Sequence, residues 1–250
     1  MKLLRLDAQP HENNRNYIYR VLKESIISLN IAPGESISET QIQNCLEVSR
    51  SPIREALAAL SVEELVDVYP QRKSVVTLID AGELEQVSFI REILENEMVK
   101  KCISAGLLDE LTERKEQVLA EMEKLGDVDN DDVLVMRMLV LDEQFHGSVY
   151  SLMNCEAINK TLRISNNQYN RFQALRRREI SIDDFVFTHR QALDIVRTGD
   201  IDAVDAHFRQ NIDTFGEKVS RLKELYSEYF TSPRNTAFEK IRASSFRDYV

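Results

Sequence analysis

Only one stretch of this 250-residue chain is patterned for β-structure, and that stretch limits the fold more than any other feature. In "LVDVY", Leu65 to Tyr69, apolar and polar residues alternate. "PQRK" reads as a turn, and "SVVTLI", Ser74 to Ile79, is dominated by β-branched residues. Two such runs joined by a turn predict a two-stranded ribbon. Upstream, residues 14–29 place Ile18, Val21, Leu22, Ile26 and Leu29 at helical spacing. Pro33-Gly34 breaks that helix, and Ser38 with Gln41 fits a capping box opening a short helix through Leu46. Glu47-Val48 turns, and a third helix starts at "SRSPIREAL". Helix, helix, helix, hairpin is the order of a winged helix-turn-helix.

The third helix has the character of a recognition helix. Arg50 and Arg54 are four apart and share one face, while Ala56, Leu57 and Leu60 fall largely on the other side. Ser49 is a candidate N-cap, and Pro52 fits only the first turn. In a helix-turn-helix such N-terminal residues face base edges in the major groove. Arg50 and Arg54 suit guanine O6 and N7, and Ser49 and Ser51 suit phosphates. Gln71, Arg72 and Lys73 at the ribbon's tip reach the adjacent duplex.

A net charge of −10 argues against nucleic acid only if it is spread evenly. Residues 1–79 hold 9 Lys and Arg against 10 Asp and Glu, whereas the remainder holds 23 against 32. The acidity therefore lies after residue 79, and the first segment remains able to present a basic face.

From Asp80 onward no strand pattern recurs. Asp80 and Glu83 form a second capping-box pair, opening a helix with Leu84, Val87, Ile90, Ile93, Leu94 and Met98 at core spacing. Further helices are expected at about 108–124, 130–153, 156–175, 181–198 and 201–229. Only 7 Gly and 5 Pro interrupt the chain, which favours a mainly α protein. The expected organisation is a winged helix-turn-helix over 1–79, an all-α bundle over 80–229, and a short helix or mobile tail over 230–250. No apolar run is long enough to span a bilayer, and the N-terminus lacks an apolar signal core, so a cytoplasmic location is expected. Cys45, Cys102 and Cys155 are odd in number and widely spaced, and they read as small core residues rather than disulfides or a zinc site.

"PGESISE", "LEVSRSPIREALAALSVEELVDVYPQRKSVV" and "IDAGELEQVSFIREILENEMVKK" together resemble GntR-family bacterial regulators of the FadR branch, whose helical effector domain is called FCD. The likeness runs from about residue 14 to 225. Glu64 and Lys73 stand where that family usually has glycine. The resemblance implies a homodimeric regulator, read as a repressor of a metabolic operon, that binds an inverted-repeat DNA operator and senses a small organic acid.

A second constellation is "LDEQFH", which puts Asp142 and His146 on one face of a long helix. That spacing lets a carboxylate and an imidazole converge on one ion, although such pairs taken alone are more often structural. His189, near the start of a later helix, can face the same interior. The resemblance implies a divalent ion (zinc, nickel or manganese) held by Asp142, His146, His189 and a further histidine. That last position is Asn211 here, with His207 one turn earlier and read as solvated rather than as a displaced ligand. The resemblance also implies that Arg91 points into the effector cavity to hold a carboxylate, with Asn211 beside it. Without the resemblance, Arg91 and Glu95 make an intrahelical ion pair. The arginines of "YNRFQALRRREI" read as surface, with Asn166, Asn167 and Arg171 as candidate pocket-lining residues. The rival reading is a non-haem metalloenzyme using Asp142, His146 and His189 as a facial triad. That triad usually occupies a β-barrel, and an enzyme leaves the winged module without a purpose.

Overall fold

The computed structural model describes residues 1–69, 73–127 and 131–231. Helix α1 (Asn14–Ile27) opens where the Asn13 side chain accepts from the Asn16 N–H at 2.9 Å, and it buries Ile18, Val21, Leu22 and Ile26. Strand β1 (Ser36–Ile37) follows, then α2 (Glu39–Leu46), α3 (Arg50–Val62), β2 (Val66–Asp67) and β3 (Ser74–Val76). The ribbon is a three-stranded antiparallel sheet in the order β1-β3-β2, one strand more than the sequence pattern predicts. The extra strand comes from the Pro33-Gly34 turn. Gly34 at φ +80° donates its N–H to the Val76 carbonyl at 2.9 Å and lays Ser36 and Ile37 along β3. Glu47 closes the turn between α2 and α3 with φ +54°.

The second half is helical: α4 (Ala81–Ser104), α5 (Leu108–Glu123), α6 (Asp131–Leu152), α7 (Glu156–Ser165), α8 (Asn167–Arg176), α9 (Ile182–Arg197) and α10 (Ile201–Leu225). Helix α4 lies along α10, and α5 packs between α6 and α9. One apolar cluster joins the two halves, running from Ile18, Ile53 and Leu60 through Ile79 and Leu84 to Phe172, Val219 and Phe230. No described helix is long and apolar enough to cross a membrane.

Several expectations need correction. The single helix over 156–175 is two, because the backbone turns at Asn166 within a Ser-Asn-Asn run of weak helix formers. Ile90 is 50% exposed rather than core, because α4 turns Ser88, Glu95 and Asn96 inward between its apolar contacts. Cys102 is buried, but Cys45 is exposed. Asp80 caps α4 by accepting from Gly82 and Glu83 N–H groups, while the Glu83 carboxylate takes a bond from Gln168 instead of completing the box. Of the expected C-terminal tail, Phe230 and Thr231 pair with the linker; residues 232–250 lie outside the described residues.

Candidate metal centre and nucleic-acid interface

Helix α6 carries Asp142 and His146 on its inward face, and α9 brings His189 opposite them. Each residue offers a ligand atom within 4.8 Å of the others. The hydrogen bonds define which atoms are offered. His189 Nδ1 lies 2.8 Å from the Phe185 carbonyl, which can only accept, so Nδ1 carries the proton. In the neutral ring its Nε2 is a lone pair, buried without a hydrogen-bond donor and 3.3 Å from Asp142 Oδ1. Two acceptors facing each other in a buried site call for a cation between them. His146 is set the same way: Nδ1 donates to Glu95 at 2.7 Å, and Nε2 lies 3.9 Å from the same Asp142 oxygen. A carboxylate behind a histidine, fixing its tautomer, is the usual support of a metal ligand. The three residues therefore fit one divalent ion.

Electrostatics keep the carboxylates of the cluster ionised. Burial opposes the charge on Asp142, but His189, His146 and Arg91 keep its pKa below the usual carboxylate range. Burial likewise opposes Glu95, yet His146 and Lys115 bring its pKa down to about 2. Lys115, fully buried, donates to Glu95 at 3.2 Å and to the Phe145 carbonyl at 2.8 Å. Sequence reading missed Lys115 because a lysine in "ERKEQV" has no signal separating it from a solvated one.

The cluster lines a cavity of about 100 Å³, with Glu92, Asn211 and His207 on one side and Tyr169, Gln173, Arg176 and Lys218 among the rest. Asn211 donates to Glu92 at 3.3 Å and lies 3.4 Å from His207 Nε2. His207 is partly buried in the cavity wall and lies outside the Asp142, His146 and His189 cluster. Arg91 is not in this lining. It reaches Asp142 Oδ2 from behind at 4.0 Å and stacks over Tyr169 at 4.2 Å, facing a small neighbouring cleft. Glu95 pairs with Lys115 and His146, not with Arg91.

Arg171 does not line the cavity either. It is fully buried at the junction, donating to the Thr77 carbonyl at 2.6 Å, the Leu78 carbonyl at 3.3 Å and Gln168 at 2.7 Å. Asn167 donates to Glu63 at the end of α3, at 3.2 Å. Helix α8 therefore has two faces. Tyr169, Gln173 and Arg176 look into the cavity, while Asn167 and Arg171 hold the winged module and Gln168 ties Arg171 to Glu83 on α4.

On the winged module, α3 exposes Arg50, Ser51 and Arg54 beside Ser49. Ser49 occupies the N-cap position, but its side chain makes no capping bond, so its hydroxyl stays available. Arg50 donates to Gln43 at 3.0 Å, and Arg54 to both oxygens of Glu39 at 3.2 Å. Lys73 shares a groove with Arg54, Ser38 and Tyr69. Gln71 and Arg72 lie outside the described residues.

Both halves of the chain match known protein families. Residues 14–76 match the model of bacterial regulatory proteins of the gntR family, and residues 86–214 match the FCD domain. An HTH-type transcriptional regulator in an unstable DNA locus of Streptomyces ambofaciens is 28% identical, over 89% of this chain and 92% of its own. The HTH-type transcriptional repressor RspR of Escherichia coli is 25% identical, over 89% and 96%. The Nta operon transcriptional regulator of Aminobacter aminovorans is 28% identical, over 83% and 98%. The fold is shared with a GntR transcriptional regulator from Rhodococcus, at TM-score 0.60 and 19% identity, covering 82% of this chain and 97% of that one.

Proposed function

Because the chain belongs to the gntR family of bacterial regulatory proteins and carries an FCD domain, we propose that it is a cytoplasmic, homodimeric repressor of a metabolic operon, released from its operator by a small organic acid. DNA binding and transcription regulation come with the family; the repressor role, dimer and effector are our reading. We divide the chain functionally at Ile79–Asp80, with the reading head before and the sensing bundle after. The observation that carries the proposal is the pair of faces on α8, one in the cavity and the other on the end of α3 and the linker.

In this reading Asp142, His146 and His189 hold a divalent ion whose contribution is Lewis acidity toward an effector carboxylate. Glu95 and the Phe185 carbonyl fix the tautomer and direction of the two imidazoles, so that metal displaces a proton from the far nitrogen of His146. Arg91 orients Asp142 from behind rather than touching the effector. Asn211 supplies an amide where an imidazole is usual, which moves preference toward harder ions such as manganese. The effector shifts DNA affinity only through unequal binding to two arrangements of the molecule, and α8 is the element both sites contact. Ser49, Arg50, Ser51, Arg54 and the wing residues Gln71, Arg72 and Lys73 meet the duplex, and two-fold pairing extends a short recognition helix to an inverted repeat.

Selecting duplexes from a random library and measuring their binding with and without manganese and carboxylates tests this. An inverted-repeat site released by a carboxylate is expected. Absence of any sequence preference, or turnover of the acid, overturns the reading.

A further inference from the structure

Every carboxylate lining the cavity has a partner. Asp142 faces two histidines, Glu95 is held by Lys115 and His146, and Glu92 accepts from Asn211. Two cations in the same lining have none. Arg176 and Lys218 make no ion pair or side-chain hydrogen bond with any described residue, although each is partly buried. Arg176 from α8 and Lys218 from α10 face the same cavity, where burial and Arg176 push the Lys218 pKa down and Glu92 only partly offsets them. Arg176 sits in the last turn of α8, where the helix dipole favours a cation whatever the cavity holds. Lys218 has no such excuse, because α10 continues to Leu225.

Their place along the helices matters. On α8, Gln173 lies 3.5 Å from Asp142, and Arg176 follows it by about one turn on the same face. On α10, Asn211, Phe215 and Lys218 share a face, with Lys218 about two turns past Asn211. Phe215, between Asn211 and Lys218 on α10, stacks on Tyr169 with ring centroids 6.2 Å apart. The cavity thus has a ligand-cluster end and a cationic end roughly one to two helical turns away, a span of about 5–10 Å.

We infer that the cavity takes an organic acid carrying two anionic groups, the second bound by Arg176 and Lys218. This rests on the proposal that the Asp142 end receives the first carboxylate. An unpaired half-buried cation pair is costly in the empty cavity, and a carboxylate or phosphate relieves it with charge-assisted hydrogen bonds. The small volume and the span fit a backbone of roughly four to six carbons.

The chain has no tryptophan, so calorimetry is the readout. The manganese-loaded full chain is titrated with gluconate, glucarate and phosphogluconate, which share a hydroxy-acid end and differ at the other, and with butyrate against succinate. Dianions should bind roughly tenfold or more tighter than their matched monoanions. Glucarate binding above phosphogluconate assigns the second group as a carboxylate, and the reverse order as a phosphate. Arg176→Gln and Lys218→Gln should each lower dianion affinity more than gluconate affinity, and so shrink that preference, while the manganese content stays unchanged. Monoanions bound as well as dianions, or a preference that survives the double variant, overturn the inference alone. A chain that binds neither manganese nor any of the acids overturns the cavity's proposed role as well.

Discussion

The Arg171 guanidinium is bonded to the Thr77 carbonyl at 2.6 Å, so a fully buried cation on α8 holds the strand that leaves the wing. No carboxylate among the described residues bonds it, and burial, only partly offset by Glu83, drives its pKa down to about 10. Arg171→Met should leave the Thr77 and Leu78 carbonyls unpaired and cost about 1–3 kcal/mol. Urea denaturation checks the cost. Operator binding should persist in the folded variant while its release by effector is blunted, as anisotropy would read. Full effector response in Arg171→Met would remove α8 from the pathway.

Glu39 occupies Arg54 in the DNA-free protein. Arg54 is 66% exposed, so this pair adds little stability, and its role is to hold the guanidinium in one orientation. Glu39→Gln should raise affinity for random duplex and lower discrimination between operator and random sequence. Arg50→Ala and Arg54→Ala should each cost about 1–3 kcal/mol on operator alone. Lys73→Ala should weaken all duplexes alike and reduce the salt slope.

Burial raises the Glu92 pKa to about 7 from 4.5. The folded state then holds a proton that the unfolded state has lost, so stability falls as pH rises between those values. In chelator-treated protein, Glu92→Gln should flatten that decline and add about 1–3 kcal/mol at pH 8. Chemical denaturation across pH measures it; an unchanged slope would mean that Glu92 is ionised throughout.

Protons compete with metal at the histidines. Burial disfavours charge on His146, but Glu95 outweighs it and raises the pKa above the ordinary value. Metal binding should therefore weaken as pH falls through that raised value, since only the neutral ring ligates. Asp142→Ala or His189→Ala should abolish stoichiometric manganese binding, and Asn211→His should tighten zinc, both by titration of the metal-free protein.

The winged module was legible because its signals are local: capping residues, Pro52 in a first turn, one β-patterned run. Strand β1 was not, since two residues carry no period and their pairing depends on a glycine at φ +80°. Asp142 and His146 were visible as a helical pair, and the resemblance supplied His189. Lys115, Gln173 and Lys218 were not legible, because convergence from α5, α8 and α10 is a property of packing. Arg171 was misread for the same reason. Its spacing on the helix suits a pocket-lining residue until its carbonyl partners, more than ninety residues away in sequence, are known.

The linker pairing at Ile79 has a consequence for biosynthesis. Ile79 donates to the Tyr229 carbonyl at 2.8 Å and accepts from Thr231 at 2.9 Å, so the strand leaving the wing is fastened by residues synthesised some 150 positions later. A chain emerging from the ribosome completes its DNA-reading head first and the fastening last. Until Tyr229 and Thr231 are made, that head is held to the bundle by α8 without this second clasp. A chain truncated before Tyr229 would therefore engage DNA with a looser hold on its linker, and the order of synthesis makes the residues after α10 the last to fasten head to bundle.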